Sequence, residues 1–150
     1  MNEPADSVTR DLVEWSREQL GIAVDALMRE DIFNSDLLEI KPAWAFPDEF
    51  VIGRVREQGE RSSFIWVICG SAPVDFLSST IASTPREAAR HFSLKWQLEA
   101  ERHRDPAVQK QVDPNAQKNW KDLCDALEAR ASALSTLVEA DKLWAPAPLQ

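Results

Sequence analysis

Tyrosine is absent from the 150 residues, glycine occurs only four times and cysteine only twice. Nothing in the sequence accounts for the missing tyrosine. The scarcity of glycine says more, because a backbone cradle for phosphate needs clustered glycines, and neither GxGxxG nor a P-loop pattern occurs. GxSxG, HExxH and EF-hand patterns are missing too, so no nucleophile elbow, zincin helix or calcium loop is present. Cys69 and Cys124 form no CxxC pair and have no His at ligand spacing. Both sit in apolar patterns and are expected as small buried hydrophobes, a disulfide between them being the lesser alternative. The longest apolar stretch, Phe64 to Cys69, is too short to span a bilayer, and the polar start MNEPADSV has no signal-peptide core. A cytoplasmic protein without cofactors is the expectation.

What is present fits one folded domain. Hydrophobic residues make up 44% of the chain and six tryptophans occur, which argues against disorder. The net charge of −8 is carried by residues 1–50, which hold 12 acids against 4 bases. No concentrated positive surface is visible, which argues against nucleic acid and against an anionic membrane as partners. A basic protein partner or self-association fits the charge, although such a surface also simply keeps a protein in solution.

The first third predicts helix from Asp6 or Ser7 to about Arg29, with Val8, Leu12, Trp15, Leu20, Val24, Leu27 and Met28 at helical spacing. Gly21 leaves open whether this is one helix or two. In residues 41–47 two prolines forbid a helix, and the segment is expected as an ordered loop anchored by Trp44 and Phe46. The carboxylates of Glu30, Asp31, Asp36 and Glu39 lack metal-loop spacing and are expected in solvent. Residues 50–56 and 63–69 are β-rich runs joined by a turn containing Gly59, which predicts an antiparallel hairpin. The second run is apolar on both faces, so it should be central or covered on both sides. Residues 74–81 offer a third strand.

Thr84-Pro85-Arg86-Glu87 is a helix-start signature, with Thr84 as cap, Pro85 at the first position and Glu87 reaching back to the cap. That helix should end near Arg104, ahead of Pro106. Asp113-Pro114 opens another, with Trp120, Cys124, Leu127, Ala131, Leu134 and Val138 on one seam and a break near Ser135 allowed. The fold expected is α+β: an antiparallel sheet of two to three strands packed against three to four helices in a single domain over 1–144, with a flexible Pro-rich tail at 145–150.

The candidate site comes from the helix after Thr84. His91, Lys95, Glu99 and Arg102 form a polar stripe between one apolar arc holding Phe92 and Trp96 and another holding Leu94 and Leu98. Such a stripe can line a pocket floor; equally, it can be a half-exposed seam of contacts one helical turn apart. His91 is the stripe residue able to move protons near neutral pH. Asp75 follows a buried run and a Gly–Pro turn, where active-site carboxylates often sit, or where an Asp caps its own turn. The binding set is therefore Asp75, His91, Lys95, Trp96, Glu99 and Arg102, with no metal and no assigned catalytic residue. Two functions compete. One is a non-enzymatic adaptor or immunity-type binding protein. The other is a small-molecule-binding or hydrolytic enzyme using Asp75, His91 and Lys95.

Three stretches carry a resemblance: Trp15 to Leu20, Trp66 to Phe76 leading into Ala89 to Gln97, and the ending Asp141-Lys142-Leu143-Trp144. Together they resemble the bacterial domain of unknown function 4826 family, whose members tend to read W-V-I-x-G-D-L-P-T-D in the middle stretch. Ser71 departs from the Asp of that pattern, which weakens any paired-carboxylate site with Asp75. The resemblance implies no activity, cofactor or catalytic residue.

Overall fold

The computed structural model describes residues 3–33, 37–58 and 63–144; the side chains of residues 3–10 and of Lys118 are outside the description. The turn at Gly59, Asp36 and the tail 145–150 lie outside the described residues. The chain groups into two compact units, Met1–Ala88 and Ala89–Gln150.

In the first unit, α1 (Glu3–Arg29) is one continuous helix, starting ahead of the expected cap and passing through Gly21 without a break. Four strands follow: β1 (Leu38–Phe46), β2 (Phe50–Glu57), β3 (Ile65–Gly70) and β4 (Asp75–Ser78). They form an antiparallel sheet in the order β1-β2-β3-β4. The expected hairpin is β2–β3, with Val51 opposite Cys69 and Arg54 opposite Trp66. β3 has a neighbour on each side, and Trp66, Val67, Ile68 and Cys69 are all buried, as its two apolar faces demand.

The strand count is a correction: four, where two or three were expected. The extra strand is β1, in the stretch assigned to a loop on the strength of its prolines. Proline cannot donate to a ladder but is tolerated at a sheet edge or a bulge. β1 is an edge, and its register slips between Pro42 and Trp44.

The core of this unit is the helix stripe Leu20, Ala23, Val24 and Leu27 against Val51, Val55, Val67 and Cys69. The stripe follows i, i+3, i+4, i+7, and the strand residues alternate, so one face of each element is consumed. Gly53 lies on that strand face because a Cβ there would stand 2.6 Å from Leu20 Cδ1, inside a side chain with no exposure. Burial disfavours thiolate formation and raises the Cys69 pKa from 9.0 to about 12. The unfolded thiol ionises near 9.0 while the folded one stays protonated until about 12, so this site lowers stability as pH rises through that window. Native Cys69 is expected to resist iodoacetamide at pH 9 and to react once urea unfolds the chain, as mass spectrometry of the labelled peptide would record.

α2 (Pro85–Arg104) starts where the signature placed it. Glu87 N–H donates to Thr84 Oγ1 at 3.1 Å, while the Glu87 carboxylate accepts from Ser83 N–H and Oγ at 2.9 and 3.1 Å, one residue ahead of the expected cap contact. Thr84→Ala should cost about 1 kcal/mol, read as a lower urea midpoint with an unchanged slope.

In the second unit, α3 (Pro106–Gln109) is a short helix that the sequence reading passed over, capped by Asp105 as Asp113 caps the 3₁₀ turn Pro114–Ala116. α4 (Gln117–Val138) runs unbroken through Ser135. Its seam residues Cys124, Ala131, Leu134 and Val138 are buried, with Trp120 and Leu127 half-buried. Ser93 Oγ donates to Ala131 O at 2.9 Å, and Trp120 Nε1 donates to His103 O at 2.8 Å. Arg104 pairs with both Asp125 and Glu128. These bonds tie α2 to α4.

Candidate functional site

The sequence-predicted residues divide between the two units. Asp75, half-buried, opens β4 in the first. Its Oδ1 accepts the N–H of Phe76 at 2.8 Å, the local backbone bond that the turn alternative called for. The stripe belongs to the second unit: His91 and Arg102 are exposed, Lys95 and Glu99 half-buried. Trp96 is a core residue, 1% exposed, with its ring 6.1 Å from that of Phe92. Leu94 and Leu98, which were to form the stripe's second flank, are each about half exposed, so that arc faces outward.

Ser71 has a structural task. Its N–H and Oγ both donate to Glu49 O, at 2.9 and 3.0 Å, latching the end of β3 to the β1–β2 turn. An ionised Asp in its place has no proton to donate to that carbonyl.

Charge is concentrated instead at a place that no local motif announced. Glu39 and Lys41 on β1, Arg54 and Arg56 on β2, and Phe64 just ahead of β3 line a cleft of about 180 Å³. Register explains the grouping: Lys41 is opposite Arg54, Glu39 is opposite Arg56, and Arg54 is opposite Trp66. The face that carries buried Ile52, Trp66 and Ile68 thus turns polar toward one end. The Arg54 guanidinium carbon lies 5.3 Å from the Phe64 ring centre and 5.1 Å from that of Trp66. Those two rings meet edge to face at 5.0 Å and 88°. Trp66 is held in turn by its Nε1 donating to Ala82 O at 2.8 Å. Glu39 is ion-paired with Arg56, and that bond, with the nearby Arg56 and Lys41 charges, lowers its pKa. Only cross-strand registration brings these residues together, and the alternation of β2 was the single sequence signal pointing to it.

Among the described residues no group of three or more His, Cys, Asp or Glu is placed to hold a metal ion, and no helix is long and apolar enough to cross a membrane.

No curated protein and no solved structure was found to match the chain. A family model does match, over residues 10–144, and it takes in all three stretches that carried the resemblance as well as the whole sheet. The chain belongs to the family described as domain of unknown function DUF4826.

Proposed function

We propose that the chain is a non-enzymatic protein-binding domain that docks an extended segment of a basic partner along the edge of its sheet. The observation carrying this reading is β1, a nine-residue strand at the edge of an open sheet, with Leu37 exposed just ahead of it and Ile40 exposed within it. An edge strand offers unpaired backbone groups to an added strand, and alternate side chains of the incoming segment supply selectivity. Pro42 and the register slip after it confine such pairing to the Leu38–Lys41 stretch. The acidic excess of residues 1–50 supports a basic partner through attraction to the chain as a whole, while the cations at Lys41, Arg54 and Arg56 favour an acidic group of that partner at this one point.

A photo-crosslinker placed at position 40 in living cells tests this, with position 123 on α4 as the control. The expected result is crosslinking from position 40, and not 123, to one basic extended segment. A synthetic peptide of that segment should then slow amide exchange at residues 38–41. Crosslinking of position 40 only to a second copy of the chain, or equal capture from both positions, would refute it. So would hydrolytic turnover by the purified chain that Asp75→Asn abolishes, the outcome favouring the enzymatic alternative with Asp75, His91 and Lys95.

A further inference from the structure

We infer that the cleft on the sheet face formed by Lys41, Arg54, Arg56 and Phe64 is a binding site for a phosphate dianion, either free or as a phosphomonoester. Among the described residues three cations and one carboxylate line it, leaving two positive charges that Glu39 does not offset. This happens in a chain whose net charge is −8, so the local excess runs against the composition. Long-range attraction cannot assemble such a complex, and recognition has to come from contact inside the cleft.

The cations differ in how they are held. Arg56 is committed to Glu39. Arg54 is stacked against Phe64 and Trp66, which restrains its side chain without occupying its N–H groups, and among the described residues no carboxylate pairs with it. A guanidinium set this way has already lost the freedom that phosphate binding would otherwise cost, and its planar fork matches two phosphate oxygens. Lys41, directly across the β1–β2 ladder, adds a flexible second charge. A phosphate monoester carries about −1.5 to −2 at neutral pH, matching the two uncompensated charges, whereas a carboxylate carries half of that. The cleft volume of about 180 Å³ suits a phosphate group and falls short of the roughly 300–1,000 Å³ usual for a whole drug-sized ligand, so any larger body stays outside.

The test is a nitrogen-15 NMR titration at low ionic strength with inorganic phosphate, phosphoserine and acetate. Phosphate should produce saturable shifts at the Arg54 side-chain Nε–H and at the amides of Lys41 and Arg56, with a Kd of about 1 mM. Arg54→Gln and, separately, Lys41→Gln should each weaken binding about tenfold, while Arg17→Gln on α1 leaves it unchanged. Tighter binding of phosphoserine than of phosphate assigns the site to a phosphomonoester on a larger molecule; equal binding assigns it to the free anion. Absence of saturation, acetate binding as tightly as phosphate, or an equal loss in Arg17→Gln would overturn the site. Lys41→Gln is an exposed change on an edge strand, so it tests binding even where Arg54→Gln perturbs the packing on Trp66.

Discussion

Gly70→Ala is expected to destabilise the first unit by at least about 2 kcal/mol, from backbone strain and a backbone clash together. Gly70 ends β3 with φ of +106°, a conformation that L side chains rarely adopt. A Cβ there would stand 2.7 Å from Glu49 O and 3.2 Å from the Phe50 Cα. Neither atom can yield cheaply, because both are backbone. Glu49 O is already fixed by the two bonds from Ser71, and Phe50 is opposite Gly70 in the ladder with a side chain that has no exposure. Urea unfolding followed by far-ultraviolet circular dichroism reads the loss as a lower midpoint. A Gly70→Ala midpoint equal to that of the parent would refute this account of the turn.

Trp66→Ala should cost more, about 3–5 kcal/mol, a large part of the roughly 5–15 kcal/mol by which domains are stable. The indole is wholly buried, and its loss leaves a cavity at β3, one of the two inner strands of the sheet. The substitution also removes the donor to Ala82 O and one of the two rings under Arg54. Trp66→Phe separates these contributions. Most of the packing is kept while the hydrogen bond is lost, so a penalty of about 1–2 kcal/mol is expected. The same pair bears on the cleft: Trp66→Phe should preserve phosphate binding to within a few-fold, because a ring still supports the guanidinium. Stability and binding are thereby measured on one residue with different expected responses.

The places where the fold was legible share a cause. Residues 50–56 and 63–69 announce a hairpin through β-rich composition and spacing, and the Thr84 signature announces its helix through capping chemistry. In each, neighbours along the chain supply the whole signal. The α4 seam is legible because packing of one helix face imposes a period that any window can detect. β1 was missed because proline is a local argument against regular structure, and only the position of a strand within a sheet decides whether its missing donor matters. α3 is hidden from a local reading because Asp105-Pro106 serves equally as the stop of one helix and the start of the next.

The candidate site followed the same division. Reading α2 alone placed His91, Lys95, Glu99 and Arg102 on one stripe, which is what helical spacing can show. It also counted Trp96 among the binding residues, and the fold buries that ring instead. No window holds Glu39, Lys41, Arg54, Arg56 and Phe64 as a group, since they come from three segments aligned by two ladders.

By itself the sequence determined the class of fold, the central hairpin, the start of α2 and the buried faces of the long helices, because these follow from composition, period and capping within a few residues, while three characteristic stretches carried the family likeness. Only the tertiary structure decided that a proline-bearing segment is an edge strand, that Gly70 must be glycine, and that cations scattered through an acidic chain share one cleft. Each of those depends on strand register, which pairs residues far apart in the chain.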